Sequence, residues 1–159
     1  MVMRSAMCVV PLLAWPGFGN IARARVLARG AEIIMEPRLV MATAAVLFGI
    51  SALGGLIMAG IRFSGPNPPT WLAMLHGFLS AAALTLLIYA ACTIGLPALA
   101  QLSILLFVIA ALGGVVMNLQ YHWKLLPLPK WLVVVHGSLA VLGFVLLLAA
   151  LWTPSTVGT

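Results

Sequence analysis

The segment LFGISALGGLIM (residues 47–58) returns 59 residues later as LFVIAALGGVVM (residues 106–117). The neighbouring segment PTWLAMLHGFL (residues 69–79) returns 60 residues later as PKWLVVVHGSL (residues 129–139). The chain therefore carries two copies of one unit, which we place at residues 39–92 and 98–152. The offset changes by one residue between the paired segments, and we expect that residue in a loop, where insertions are tolerated best.

Each copy holds two apolar stretches long enough to cross a bilayer, which takes about 20 residues. The predicted spans are 39–61, 71–92, 98–119 and 131–152, and none of them contains Asp, Glu, Lys or Arg. Short connections make successive spans antiparallel. We therefore predict an all-α integral membrane protein, an up-down-up-down four-helix bundle made of two repeated helical hairpins. Two such hairpins would be related by a pseudo-two-fold axis along the membrane normal.

The composition of the whole chain agrees with a membrane protein. Of its 159 residues, 64% are hydrophobic and 6% are charged, whereas a soluble domain is about a quarter charged. A soluble enzyme, a nucleic-acid binder and a disordered linker are therefore disfavoured. The net charge of +6 comes from scattered Lys and Arg, which in a membrane protein act as topology signals. Cys8 and Cys92 form no paired motif, so the sequence indicates neither a disulfide framework nor covalently attached haem.

Residues 1–38 form an N-terminal extension that differs from the repeats, because it carries five of the eight Lys and Arg residues and both acidic ones. One interpretation is a signal peptide whose cleavage site ends at Ala24. A second is a peripheral segment that lies on the membrane surface. A third is that translation starts at Met35 or Met41, so that the upstream part is no part of the protein. Residues 153–159 are a short tail.

The orientation in the membrane depends on that extension. With the extension present, arginines near the first span favour a cytoplasmic N-terminus. If the chain starts at Met35, Arg38 alone opposes Arg62, Lys124 and Lys130 on the other side, and the predicted orientation reverses.

Two histidines lie well inside the predicted spans, at the same position of the two repeats. His76 and His136 each come five residues after the start of a span, which is about 7–8 Å along a helix. The second and fourth helices of an up-down bundle are diagonal partners, so the two imidazoles can face each other across the pseudo-two-fold axis. A lipid-exposed imidazole would be costly, and we expect both rings to point inward.

Such a pair suits a shared metal centre. Zinc usually takes four ligands, and no Cys, Asp or Glu lies at this depth to complete a tetrahedron. A copper ion would likewise find too few ligand side chains at this depth. Haem iron needs only two axial ligands from the protein, so we predict that His76 and His136 bind one b-type haem.

Small and cationic residues agree with a haem. Small residues follow each histidine on its helix face, and repeated glycine pairs lie at a similar depth on the neighbouring helices, where they would leave room for the ring. The small residues after the histidines are Ser80, Ala83, Ala140 and Gly143. The glycine pairs are Gly54 with Gly55 and Gly113 with Gly114. The propionates would meet donors in the two loops on the histidine side, with Trp71 and Trp131 as interface anchors. The loop donors are Arg62, His122, Lys124 and Lys130.

Each of these features also has an ordinary interpretation. A histidine inside a membrane is often a packing or hydrogen-bonding residue, and a duplicated gene copies such a residue too. Glycines are the usual small residues of tight helix packing in lipid. A structural or proton-relaying histidine pair, and a site for another metal or ligand, therefore stay open as alternatives.

The arrangement of His76, His136 and the two glycine pairs resembles that of membrane b-type cytochromes, in which four helices hold haem between histidines on facing helices. The resemblance covers residues 39–152 and is one of architecture. It implies haem b as the cofactor. Two-haem members of that class carry four ligand histidines, whereas only two intramembrane histidines occur here. The resemblance therefore implies a single haem near one face, serving as a relay or a quinone-side site.

Three functions follow as hypotheses. The first is a single-haem electron carrier, or a subunit of a redox complex, with that complex or a quinone as partner. The second is a non-redox membrane subunit with a structural histidine pair, and the third is a small transporter or channel gated by the pair. The sequence shows no nucleophile–base constellation, phosphate-binding loop or paired carboxylates, so hydrolysis and nucleotide-driven work are not supported. We expect a bacterial inner membrane, no nucleic-acid partner, and possible homo-oligomers or a larger complex.

Overall fold

The computed structural model describes residues 37–153, which are all-helical: 85% of them lie in helices and none in strands. Four helices are long and apolar enough to cross a membrane. They are α1 (Pro37–Ser64), α2 (Thr70–Thr93), α3 (Ala98–Val116), which continues as a π-helix (Met117–His122), and α4 (Lys130–Trp152). Their bounds agree with the predicted spans to within three residues. Residues 1–36 of the N-terminal extension lie outside the described residues. The last two residues of the extension, Pro37 and Arg38, belong to α1.

Prolines mark where the helices begin. Pro37 is the first residue of α1, and Pro69, Pro97 and Pro129 each directly precede one of the other three helices. A proline at a helix start costs no hydrogen bond, and its fixed φ suits the first turn. In α2, α3 and α4, no side-chain hydrogen bond caps the start of the helix.

Glycines with positive φ follow the first two helices. Gly65 follows α1 with φ 127°, and Gly95 follows α2 with φ 76°. The backbone N–H groups of Ile94 and Gly95 both donate to the carbonyl oxygen of Ala90, at 3.0 and 3.1 Å. This is a helix-ending turn that favours glycine, because other residues are strained at positive φ.

The two repeats differ at the end of their first helices. α1 stays α-helical to Ser64, whereas α3 changes to a π-helix at Met117, the counterpart of Met58. A π-helix bonds residue i to i+5, so each of its turns holds more residues than an α-turn. Both this π-helix and the loop 123–129 lie where the repeats differ by one residue. The helix ends six residues after Met58 and five residues after Met117, and the second loop is the longer one, so the structure does not move the extra residue out of the loop.

The buried core lies in the half of the bundle away from the histidines. Its largest fully buried apolar side chains are those of Met41, Leu87 and Leu147, and it includes the stacked rings of Phe48 and Phe107, whose centroids are 3.9 Å apart. On the outside the helices expose large apolar side chains, as lipid-facing surfaces do. The protein is therefore held together by apolar packing at one end, and the histidine end depends on more specific contacts.

Two connecting loops contact each other at the histidine end. The Asn67 side chain donates to the carbonyl oxygen of Leu126 at 3.0 Å and accepts from the N–H of Leu128 at 3.3 Å. Arg62 donates to the carbonyl oxygen of Leu128 at 2.7 Å. At the other end of the bundle, Arg38 donates to the carbonyl oxygen of Leu151 at 2.9 Å. These bonds connect the end of α1 to the start of α4, and the start of α1 to the end of α4.

Candidate functional site

The structure brings the two intramembrane histidines together. The ring centroids of His76 on α2 and His136 on α4 are 6.2 Å apart, with the ring planes at 70°. Both side chains are half-buried. Residues less than two turns into different helices thus meet at one point between the two hairpins.

Each imidazole lies against the helix that precedes its own. Nδ1 of His76 is 2.8 Å from the carbonyl oxygen of Ser51 on α1, and Nδ1 of His136 is 2.8 Å from the carbonyl oxygen of Ala110 on α3. Ser51 and Ala110 occupy the same place in the two repeats. The sequence duplication is therefore accompanied by a duplicated contact.

Glycines make this contact possible. A Cβ atom on Gly55 would lie 3.1 Å from Cε1 of His76, and one on Gly114 would lie 3.4 Å from Cε1 of His136. Cβ atoms on Gly54 and Gly113 would also meet their histidine, at 3.8–3.9 Å. We expected these glycines to leave room for a large planar ligand. In the structure the space beside them is filled by the imidazole rings themselves.

The hydrogen bonds define which ring nitrogen is free. A carbonyl oxygen can only accept, so Nδ1 of each ring carries the proton and donates. In a neutral imidazole, Nε2 then keeps its lone pair. Within residues 37–153, no hydrogen bond involves Nε2 of His76 or of His136. Metal-binding histidines have this arrangement, with one nitrogen bonded to a carbonyl and the other available as a ligand.

A serine pair makes the two histidine environments different. The Ser51 hydroxyl donates to the carbonyl oxygen of His76 at 3.0 Å and lies 2.6 Å from the Ser80 hydroxyl, which then acts as donor. Ser51 Oγ is also 2.9 Å from Nδ1 of His76. The second repeat has Ala110 and Ala140 at these two positions. His76 is therefore surrounded by more polar groups than His136.

Of the small residues further along α2 and α4, Ala83 and Gly143 are buried. A Cβ atom on Gly143 would lie 3.2 Å from Cε1 of Phe107, so that ring occupies the space beside Gly143. Ala83 is fully buried in the apolar core, and Ala140 is half-buried. We expected room for a ring along this whole face. The structure leaves that possibility only at the histidine end, because the phenylalanine pair closes the face beyond it.

The cations expected at the propionates all lie at the histidine end, and neutral groups hold them. Arg62 donates to the carbonyl oxygens of Leu128 and Gly65, at 2.7 and 2.6 Å. The ammonium group of Lys124 donates to the Gln120 side chain at 2.7 Å, and Lys130 Nζ lies 3.5 Å from the carbonyl oxygen of Phe63. His122, which was expected in a loop, is the last residue of the π-helix, and its Nε2 lies 3.0 Å from the hydroxyl of Thr70, the first residue of α2. The described residues include no Asp or Glu.

Three polar groups were not predicted from the sequence, and two of them lie at the site. Two are the carbonyl oxygens of Ser51 and Ala110, which lie three and four residues before the glycine pairs on the same helix face. The repeated pattern of a small residue followed by ALGG marks them. The third is Oδ1 of Asn118 in the π-helix, which is buried and has no hydrogen-bond partner within residues 37–153.

The side chains at the site that could bind a metal are those of His76 and His136. No group of three or more His, Cys, Asp or Glu residues that could hold a metal ion occurs in the part of the chain that the structure describes, and Cys92 is exposed and free. Comparisons with family models, curated proteins and solved structures found no match. The function of the protein is therefore inferred from the geometry of the histidine pair.

Proposed function

We propose that the protein is a membrane b-type haem protein in which His76 and His136 are the axial ligands of a single haem. The observation that carries the proposal is the pair of imidazoles with Nδ1 anchored to a carbonyl and Nε2 free, at a centroid distance of 6.2 Å. Two imidazole donors with no third ligand suit iron whose other four positions are supplied by a porphyrin.

The distance between the rings supports a shared metal. A metal bonded to a ring nitrogen at about 2.0–2.1 Å lies about 3 Å from the ring centre, so two rings on opposite sides of one metal have centroids about 6 Å apart. The observed 6.2 Å agrees with this value. The core residues lie in the opposite half of the bundle, which leaves the histidine half as the place for a cofactor.

Arg62 is the cation best suited to a propionate group. It lies seven residues beyond Gly55 on α1, or about 10 Å along the helix, on the side of the loops. Its guanidinium contacts only carbonyl oxygens, which leaves its positive charge without a carboxylate partner in the described part of the chain. An arginine is well suited to bind a carboxylate with two parallel hydrogen bonds.

The chemistry that a bis-histidine haem supplies is the transfer of one electron at a time. With one such centre near one face, the protein would serve as a carrier or as a subunit of a redox complex, with a membrane quinone as a possible partner. The chain itself would anchor both imidazoles through the Ser51 and Ala110 carbonyls. It would also exclude water with the apolar bundle, which we place in a bacterial inner membrane.

The order and the symmetry of the four helices are also part of what we propose. We infer an up-down-up-down bundle whose hairpins, 39–92 and 98–152, are related by a pseudo-two-fold axis along the membrane normal. The equivalent contacts of His76 and His136 with the preceding helix support it, as does the stacking of the equivalent residues Phe48 and Phe107. An experimental structure tests this: the two hairpins should superpose about an axis along the normal, and an axis in the membrane plane would contradict the inference.

A packing role for the histidine pair is the second candidate. The specific observation in its favour is that glycine-lined contacts and carbonyl hydrogen bonds already position both rings without a metal. In that case the protein is a non-redox subunit that supports a partner.

The optical spectrum of the purified protein separates the two candidates. Protein produced in cells with ample haem should show a Soret band and the sharp bands of low-spin haem. Colourless protein would reject the haem proposal and favour the packing role.

A further inference from the structure

A groove between α1 and α4 opens on the outer surface of the bundle, beside the histidine pair. Its volume is about 540 Å³, within the usual range of ligand sites, about 300–1,000 Å³. Leu56, Ala59 and Phe63 line it from α1, and Val134, Gly137 and Val141 are among the residues that line it from α4. Since both helices are apolar enough to span a membrane, the groove would face hydrocarbon chains.

The shape of the groove depends on its small residues. Ala59 and Gly137 both line the groove, and a Cβ atom on Gly137 would meet no atom within 4 Å. Small side chains thus leave an open channel between larger ones such as Leu56 and Val141, which are more than half exposed. An elongated apolar chain fits such a channel better than a bulky or polar molecule does.

A cation lies at one end of this groove. Nζ of Lys130, the first residue of α4, is 5.6 Å from the ring centroid of Phe63, which is itself a lining residue. Its one hydrogen-bond acceptor within residues 37–153 is the Phe63 carbonyl oxygen, at 3.5 Å. Both acidic residues of the chain, Glu32 and Glu36, precede the described part. The ammonium group thus lies beside the groove with no carboxylate partner among residues 37–153.

We propose that this groove binds an anionic phospholipid, with one acyl chain along α1 and α4 and the phosphate at Lys130. The apolar lining matches the acyl chain, and the ammonium group, which has no carboxylate partner within residues 37–153, matches the charge of the headgroup. Basic residues at a membrane surface attract anionic lipids in this way. The proposal is independent of the haem, and it assigns Lys130 to the lipid where the sequence analysis expected a propionate contact.

Native mass spectrometry of the full chain in mild detergent tests the proposal. Dioleoyl phosphatidylglycerol and dioleoyl phosphatidylcholine, which share their acyl chains, are titrated separately. We expect one bound phosphatidylglycerol per chain, with an affinity about fivefold above that of phosphatidylcholine, the effect of about one cation. Equal binding of the two lipids to the unmodified protein would overturn the proposal.

Two pairs of variants separate the charge from the groove. Lys130→Gln should bind both lipids equally, whereas Lys124→Gln, which alters a lysine paired with Gln120, should keep the preference. Gly137→Leu should fill the groove and abolish the adduct. Gly77→Leu is its matched control, since Gly77 is the same position in the other repeat and a Cβ atom there also meets nothing within 4 Å.

Other outcomes identify a different occupant and overturn the proposal. If Gly77→Leu loses the lipid as completely as Gly137→Leu, the groove is not the site. If glycerol phosphate in excess displaces the lipid, the headgroup alone is recognised. If the unmodified protein is a dimer without bound lipid, and Gly137→Leu makes it monomeric, the groove is an interface between two copies of the chain.

Discussion

A Cβ atom on Gly55 would lie 3.1 Å from Cε1 of His76, which is tighter than nine in ten real Cβ contacts. Gly55→Ala should therefore displace the imidazole from the Ser51 carbonyl and lower the free energy of unfolding by about 1–3 kcal/mol, the usual cost of overpacking. Thermal unfolding in detergent, followed by circular dichroism, measures the change.

The other glycines supply a graded control for this prediction. Gly114→Ala should cost less, because the corresponding distance to His136 is 3.4 Å, and Gly60→Ala should be tolerated, because a Cβ atom there meets nothing within 4 Å. Equal effects of all three substitutions would show that helix propensity, rather than the contact with histidine, sets the outcome.

The Ser51–Ser80 hydrogen bond predicts an energetic coupling. Ser51→Ala and Ser80→Ala should each destabilise the protein by about 0.6 kcal/mol, and at most about 1.7 kcal/mol, as hydrogen bonds between membrane helices do. The double variant should cost less than the sum, because each single change already breaks the same bond. Unfolding by SDS measures all three. The alanines at the equivalent positions 110 and 140 indicate that the fold tolerates the double change, and strictly additive costs would contradict the contact.

The stacked pair Phe48 and Phe107 should also be coupled. Their rings are 3.9 Å apart and inclined by 11°, and aromatic pairs contribute about 0.5–1.5 kcal/mol beyond the area they bury. A double-mutant cycle with Phe48→Leu and Phe107→Leu in the same unfolding assay should recover that energy. Phe78→Leu is the control, since that ring is 70% exposed. A coupling energy of zero would show that the two hairpins do not meet through these rings.

Asn67 should hold the two loops at the histidine end together. Asn67→Ala removes the bonds to the backbone of Leu126 and Leu128, so amide hydrogen exchange in the loop 123–129 should become faster. Lys124→Ala changes a residue of the same loop but breaks only a side-chain bond to Gln120, so the exchange rates should stay close to the original. Unchanged exchange in the asparagine variant would mean that Arg62 alone fixes the loops.

The sequence predicted the helices well because their signals are local. Long apolar runs between prolines mark the spans, and the repeat places His76 and His136 at equal depth. The role of the glycines was harder to predict, since a gap in a helix surface can admit a ligand or a neighbouring side chain. Only the position of α2 beside α1 shows that an imidazole fills the gap at Gly55.

Other parts of the site depend on packing between distant segments. Gly143 looks like a space for a ring until Phe107, from the other helix of the hairpin, is seen to occupy it. No residue pattern in the second repeat predicts the π-helix that begins at Met117. Only the spacing between the repeated segments, which changes from 59 to 60 residues, indicates an irregularity in this region. The Ser51–Ser80 bond likewise requires the register between α1 and α2, which composition does not specify.

The absorption spectra of the unmodified protein and three histidine variants, all produced with ample haem, test the central claim most directly. Leucine keeps an apolar side chain of similar size, so the variants His76→Leu and His136→Leu remove the ligand without a large cavity. The unmodified protein should show a Soret band and low-spin haem bands, both variants should lose them, and His122→Leu, which alters only the contact with Thr70, should keep them. Loss of the bands in only one of the first two would contradict the paired ligation, and an unmodified protein without a Soret band would contradict the haem itself.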